Sequence, residues 1–354
     1  MPTVDLDIPM TAHSVTATMQ ETHVRMSITP NDDASLAYDL LVPRIWAYSQ
    51  QFGPVTTGLL ETQGIGFFAA SLNSDGPVIA ATMTAVPFEI PLSTWARMSL
   101  THDGWEIIDA KWVPGPYGLL FDLTGRRAAG EMQQVRRTTV RVRGSQIFSL
   151  NSMCSYAQWN HYKEIFWVAH LSFELSLKGS TRMEPWLAGI AEQPDFQFGF
   201  PATWSAEART PEPGLTSLVD VRLLDAAGER LLAYLQVTAR RRGHGEAAPN
   251  LVLYQNEAQA LLTGAGFVAN DEPRRLTVED DPRSEAVEGW LGSFVWNGAM
   301  KGGAVTARAG FLNRSGTTFV FTLIGPRLED DPLIAMRGQR AFEIARSSLV
   351  MPPT

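Results

Sequence analysis

Six histidines and one cysteine are the residues best suited to metal or nucleophilic chemistry, and their spacing favours neither. His13, His23, His102, His161, His170 and His244 do not cluster as ligands, and His161 and His170, nine positions apart, point to different faces of a helix. Cys154 has no second cysteine to bridge, so the chain does not require an oxidising compartment. A distant histidine would make that thiol a nucleophile; the plainer reading is an inert side chain. Phosphate-cradling, dinucleotide, zinc-protease, nucleophile-elbow and dithiol motifs are all absent from the sequence. Two acidic strings, Glu279-Asp280-Asp281-Pro282 and Glu329-Asp330-Asp331-Pro332, offer carboxylate pairs. Asp before Pro better suits a helix start, because Asp accepts orphan amide protons and Pro lacks one to satisfy. The basic runs Arg136-Arg137 to Arg143 and Arg240-Arg241-Arg242 read as charges that guard a sheet edge or solvate a turn, with an acidic partner as the alternative. An enzyme would have to converge on His102, Asp103 and Glu106; His102 more simply places a cation at a helix C-terminus.

The elements that hold these residues belong to an ordinary globular chain. At 354 residues, 45% hydrophobic and 19% charged, it has material for about two domains. Twenty-nine basic against 37 acidic residues leave a net charge of −8, which removes the global positive field that draws proteins to nucleic acid or anionic lipid. Asp5 and Asp7 stand where a secretory signal carries cations, and the longest nearly apolar stretch, Val78 to Phe88, is too short to span a bilayer. The expectation is a cytoplasmic protein without an integral membrane segment, a nucleic-acid partner, a metal or a cofactor.

The two halves echo each other. Pro43-Arg44-Ile45-Trp46 and Pro201-Ala202-Thr203-Trp204 each follow an extended segment. Next come hairpin patterns, Phe67 to Val86 and Leu218 to Ala239, then helix patterns that end at glycine, Leu92 to His102 and Leu251 to Thr263. Second hairpins follow, Thr138 to Leu150 and Ala304 to Ile324. Aligning Gly144 with Gly316 reverses the apolar phase, whereas an offset of 171 pairs Phe148 with Phe319 and Leu150 with Phe321, and is preferred. Both copies close on an amphipathic helix, with Tyr156, Trp159, Tyr162, Phe166, Ala169, Phe173 and Leu177 as one stripe, and Leu333, Met336, Ala341, Ile344 and Leu349 as the other. The predicted organisation is a strand-forming extension over 1–33, a first copy over 34–177, a linker over 178–194 with a turn of helix near Trp186 and Leu187, and a second copy over 195–354. Alternation at Val15, Ala17 and Met19, then at Val24, Met26 and Ile28, motivates the strands of the extension.

Strand phase also nominates a binding face. Leu231, Ala233, Leu235, Val237 and Ala239 form the more apolar side of one strand; Leu232, Tyr234, Gln236 and Thr238 form the other, matched in the first copy by Thr82 and Thr84. A partly polar sheet face is either solvated or covered by another chain.

Each copy resembles the PsbP-like fold family, which includes DcrB-like proteins and the Eag-type chaperones of type VI secretion effectors. The residues that carry the resemblance are Phe198-Gly199-Phe200-Pro201-Ala202-Thr203-Trp204, the hairpin running to Gln236-Val237-Thr238-Ala239, and the closing helix after Thr317 to Ile324. The resemblance implies an α+β fold: tandem antiparallel sheets packed with helices, the pair imitating a dimer of single-domain members. It also implies a non-enzymatic chaperone that holds an apolar helix or peptide of a protein partner, such as a type VI effector. Leu232, Tyr234, Gln236, Thr238, Thr82 and Thr84 are the candidate contacts. A structural subunit of a secretion or surface machine is the alternative role, and the oligomeric state stays open.

Overall fold

The computed structural model describes residues 21–50, 54–57, 60–70, 76–115, 118–130, 132–177, 179–180, 182–192, 195–209, 217–241, 250–277 and 287–351. The expected alternation at Val15, Ala17 and Met19 and the string Glu279 to Pro282 lie outside these residues. The fold is α+β, with two large antiparallel sheets. The chain divides into two compact units, Met1–Pro87 with Leu92–Met183, and Phe88–Pro91 with Glu184–Thr354.

Unit 1 contains β1 (His23–Ile28), β2 (Tyr38–Pro43), β3 (Ala47–Ser49), β4 (Pro54–Thr57), β5 (Leu60–Ala69), β6 (Val78–Ala85), α1 (Leu92–His102), β7 (Glu106–Gly115), β8 (Gly118–Ala129), β9 (Met132–Arg143), β10 (Gln146–Ser155), α2 (Trp159–Ser172) and β11 (Glu174–Leu175). Its main sheet runs β3-β5-β6-β10-β9-β8-β7, with β4 paired to β5, and a small sheet runs β1-β2-β11. Between them α2 buries Trp159, Phe166 and Ala169 against Tyr38, Leu40, Ile79, Ala81, Phe148 and Leu150. Each fully buried Phe or Leu contributes roughly 1.5–3 kcal/mol. The other sheet face carries α1 over β7, β8 and β9.

Unit 2 contains β12 (Trp186–Glu192), β13 (Asp195–Pro201), β14 (Ser205–Arg209), β15 (Ser217–Leu224), β16 (Leu231–Arg241), α3 (Leu251–Gly264), β17 (Phe267–Ala269), β18 (Arg274–Arg275), β19 (Trp290–Met300), β20 (Gly303–Arg314), β21 (Thr317–Gly325) and α4 (Pro332–Ser347). Its main sheet repeats the order of the first as β14-β15-β16-β21-β20-β19-β17, with β18 paired to β19. One face packs Val219, Val221, Leu235, Val237, Phe319 and Phe321 against Phe196, Phe198 and the α4 residues Ala341, Phe342 and Ala345. On the other face α3 packs on β17, β19 and β20, and its Tyr254 hydroxyl reaches Thr318 Oγ1 of β21 at 3.1 Å.

Local sequence explains why the copies agree. The P-x-x-W segments are turns of one kind: Trp46 N donates to the Pro43 carbonyl at 3.1 Å, Trp204 N to that of Pro201 at 3.0 Å, and both indoles are buried. Asp331 caps α4 by accepting from Ile334 N, with Pro332 in the first turn, as its Asp-Pro pair predicts. The offset of 171 holds at the second hairpin, where Arg143 pairs with Gln146 and Arg314 with Thr317.

Three expectations are corrected. The Arg136 to Arg143 run lies neither at an edge nor in a turn: β9 is an interior strand, and Arg137, Arg141 and Arg143 are buried. Helix α2 ends at Ser172 because Phe173 turns extended and β11 joins the small sheet, which leaves Leu177 exposed instead of on the stripe. Trp186 and Leu187 form no helical turn; they open β12, which pairs with β13 through Trp186↔Pro201.

Candidate partner-binding surface

On β16 the alternation holds from Ala233 onward, with Ala233, Leu235, Val237 and Ala239 in the core, whereas Leu231, expected on that side, is 52% exposed where the register shifts. Tyr234 and Gln236 are half-buried on the opposite face, the face on which α3 packs further along the sheet. Register places Asp220 opposite Gln236 and Arg222 opposite Tyr234, then Glu207 opposite Asp220 on the edge strand β14. These side chains form a network around Asp220, whose side chain is 1% exposed. Asp220 Oδ2 accepts from Arg209 Nε at 2.6 Å and Arg222 Nη2 at 3.2 Å. Its Oδ1 accepts from the Tyr234 hydroxyl and, at 3.3 Å, from Gln236 Nε2, which also donates to the Tyr234 oxygen at 2.7 Å. Glu207 Oε2 reaches Arg222 Nη2 at 3.1 Å. A buried carboxylate held by four donors is stable where a lone one would not be, and it fixes the rotamers of the groups around it. Burial, then the hydrogen bond to Asp220 and its charge, hold the Tyr234 hydroxyl above the usual phenol range, so Tyr234 stays a neutral donor.

The other nominated residues are placed differently. Leu232 packs against the core cluster, because the register breaks where Leu224 pairs with Leu231 and Leu223 with Ala233. Thr238 is buried and its hydroxyl faces the Val320 carbonyl at 3.5 Å. Thr82 and Thr84 belong to unit 1. Thr84 is buried on the Thr62 hydroxyl at 2.8 Å, and Thr82 lies 3.5 Å from Asn151 Nδ2. The structure therefore brings together Tyr234 and Gln236, and adds Asp220, Arg222, Arg209 and Glu207. A sequence signal for them existed: Asp220 and Arg222 are the polar phase of Ser217–Leu224, and the hairpin pairs that phase with Tyr234 and Gln236. Next to β16, the half-buried Val320, Thr322 and Ile324 of β21 continue the same face, Val320 and Ile324 also packing against the cluster beneath α3.

The residues that could have converged as an enzyme are engaged separately. Glu106 takes both Arg126 Nε at 2.7 Å and Nη2 at 2.8 Å, Asp103 sits 3.5 Å from Arg136, and His102 is exposed. Burial pushes the Cys154 thiol up to about 12. In unit 1 the buried His170 lies between Thr139 Oγ1 at 2.7 Å and Ser152 Oγ at 2.9 Å, while Arg137 pairs in two-pronged fashion with Asp122, both contacts 2.9 Å. Burial, then the charges of Arg137 and Arg141, hold the His170 imidazole well below its ordinary range. A serine, a histidine and a threonine in line resemble a relay, but Ser152 is 0% and His170 1% exposed, so this chain of bonds satisfies the interior. Among the described residues no group of three or more His, Cys, Asp or Glu is placed to hold a metal ion, and no helix is long and apolar enough to cross a membrane.

No family model matches the chain, and no curated protein is similar to it. Several solved structures are. The chain is similar to cyanobacterial PsbP (CyanoP) of Synechocystis sp. PCC 6803 at 15% identity, over 46% of this chain and 98% of that one, with a TM-score of 0.33. Over most of its length, it is similar to a chain of the Tle4–Tli4 complex, at 11% identity, 94% and 99% coverage and a TM-score of 0.24. It is also similar to the type VI secretion immunity protein TplEi of Pseudomonas aeruginosa, at 9% identity, 94% and 98% coverage and a TM-score of 0.22. Scores this low leave the function of the chain to its own residues.

Proposed function

We propose that this protein is a non-enzymatic, cytoplasmic binding protein or chaperone that holds an apolar helix or peptide of a protein partner, with a type VI secretion effector as the candidate. The observation that supports this reading is the half-buried strip of unit 2 on which Tyr234 and Gln236, oriented by Asp220, adjoin Val320, Thr322 and Ile324. Apolar side chains supply affinity there. A few oriented hydrogen-bonding groups fix the register of what lies on them.

The test is co-purification of the full chain with the apolar N-terminal segments of effectors encoded beside its gene. Tyr234→Arg combined with Gln236→Arg is expected to weaken capture at least about tenfold, or 1.4 kcal/mol, while the unfolding midpoint is retained. Undiminished capture by a folded double variant overturns the assignment.

A further inference from the structure

The P-x-x-W turn is tied to its neighbours by the same bonds in both units. Arg44 N donates to the Thr22 carbonyl at 3.0 Å, and Ala202 N to that of Pro185 at 2.9 Å. Leu41 N donates to Ser172 Oγ at 2.8 Å, and Gly199 N to Ser348 Oγ at 2.7 Å. Asp39 pairs with Glu174 as Gln197 does with Val350. The spacing from Thr22 to Pro185 carries Glu21 to Glu184, that from Leu41 to Gly199 carries Ile45 to Thr203, and that from Ser172 to Ser348 carries His161 to Arg337 and Glu164 to Arg340. In unit 2 these places grip the short segment Phe88–Pro91, which belongs to that unit. Glu89 N donates to Glu184 Oε1 at 2.7 Å, and the buried Glu89 carboxylate accepts from Trp186 Nε1 and Arg340 Nε, both at 3.0 Å. Arg337 lies over the Phe88 ring at 4.8 Å and donates to Thr203 Oγ1 at 3.0 Å. In unit 1 the matching places face solvent. Ile45 is 88% exposed, Glu21, His161 and Glu164 are exposed, and neither Glu21 nor Glu164 has an ion-pair partner among the described residues.

We infer that this place on unit 1, bounded by Glu21, Ile45, His161 and Glu164, is the seat of a short segment of a partner protein in which an aromatic residue is followed by Lys or Arg. Unit 2 supplies the template, and the exchanged residues specify the occupant. Arg340, which holds Glu89, is replaced by Glu164, so the occupant carries a cation where the unit 2 segment carries a carboxylate. Ile45 in place of Thr203 and His161 in place of Arg337 turn a polar contact into an apolar one, which a ring at the position of Phe88 covers. Glu21, like Glu184, offers a carboxylate to a backbone amide of the segment. Arg44 and Lys163 border the seat at the places of Ala202 and Gln339, so position and not net field selects the cation. A second copy of the chain is a poor occupant, because its own Phe88-Glu89 is engaged in unit 2 and sets Glu89 against Glu164. The seat is separate from Tyr234 and Gln236, and the inference goes beyond the proposed function without resting on it.

The experiment uses the full chain and two fluorescein-labelled peptides that copy Val86 to Leu92, one native and one carrying Glu89→Lys, read by fluorescence anisotropy. Saturable binding of the lysine peptide is expected, with the native peptide about fivefold weaker, the size of one exposed ion pair turned to repulsion. Glu164→Lys in the protein should reverse that preference, and Ile45→Ser should weaken both peptides. These positions are exposed, and an unchanged circular dichroism melt shows that the variants fold. Equal binding of the two peptides, a preference that Glu164→Lys does not move, or no saturable binding at millimolar peptide overturns the seat. Binding lost only in the Tyr234→Arg, Gln236→Arg variant assigns the peptide to the unit 2 strip, which overturns the seat and leaves the proposed function standing. Peptide binding that follows Glu164, in a protein that captures no apolar effector segment, supports the seat while the proposed function fails.

Discussion

Beneath its closing helix each unit buries cations, but in different company. The segments Phe166-Trp167-Val168-Ala169-His170 of α2 and Phe342-Glu343-Ile344-Ala345-Arg346 of α4 correspond, so that a titratable imidazole in unit 1 stands where unit 2 has a permanent guanidinium. The offset of 171 on the facing strands matches Arg137 with Arg308. One strand further, Asp122, opposite Thr139, matches Ser293, opposite Gly310. In unit 1 the guanidinium is paired with a carboxylate. In unit 2 Arg308 lies over the Phe342 ring at 4.3 Å and Arg346 over the Trp290 ring at 4.7 Å. One strand order thus accommodates two polar interiors, because the sheet and helix fix where a buried cation sits while the neighbouring side chains decide how it is stabilised.

The strongest way to break this comparison is to remove the carboxylate that pairs with Arg137 in unit 1. Asp122→Asn leaves the Arg137 guanidinium, now 2% exposed, without its counter-charge. Breaking one side of a buried pair costs about 3–5 kcal/mol, whereas replacing both sides by well-packed apolar residues is near neutral. Hydrogen exchange on the full chain should show the amides of β8 and β9 losing protection while those of β19 and β20 keep theirs, and Asp122→Leu with Arg137→Met should recover most of the loss. Equal loss in both units would mean that the interiors are not separately stabilised.

That pair also marks where sequence reading stops. Strand phase, the glycine-terminated helices, the Asp331-Pro332 start and the paired hairpins were legible because each depends on residues a few positions apart. Arg137 was read as a surface charge because its partner lies fifteen residues away on another strand, and nothing local distinguishes a guanidinium that will meet a carboxylate from one that will meet water. At the candidate surface, Tyr234 and Gln236 were legible from alternation alone. Leu232 was misplaced by a register break that alternation does not encode, and Asp220 is a single acid in an apolar run until β15 is paired with β16. Strand Trp186–Glu192 escaped notice because Gly179, Ser180, Pro185 and Pro194 read as linker.

Acid separates the units less severely. His170 is neutral in the folded chain, because burial and then the charges of Arg137 and Arg141 hold its imidazole well below its ordinary range. The unfolded chain therefore binds a proton below about pH 6.5 that the native unit 1 refuses. Its contribution is complete above that pH and is lost as the pH falls, by about 1.4 kcal/mol per pH unit, until the native imidazole itself titrates. Denaturant melts between pH 7.5 and 5 should show unit 1 losing stability on this account as the pH falls, and His170→Gln, which keeps a hydrogen-bonding side chain, should flatten the difference. A variant with the same pH slope as the wild type would remove His170 as the source.

The smallest effect tests the alignment on which the comparison stands. In Arg143-Gly144-Ser145-Gln146 only Gly144 has a positive φ, +56°, the glycine-first pattern of a type II′ turn; in Arg314-Ser315-Gly316-Thr317 both central residues do, at +48° and +72°, as in type I′. The glycine moves from the first turn position to the second because the turns differ, which is why matching glycine to glycine shifts the strands by one and turns the wrong side chains inward. Ser315→Asn creates the Asn-Gly pair that type I′ prefers and should stabilise unit 2 by about 0.5–1 kcal/mol, a rise of roughly 1–4 °C in its midpoint. The same residue at Gly144 should destabilise unit 1 by about 1 kcal/mol, since Asn tolerates a left-handed backbone less well than glycine there. Opposite signs at the two sites support the offset of 171; equal signs would show that the hairpins share one turn and that the glycines are equivalent after all.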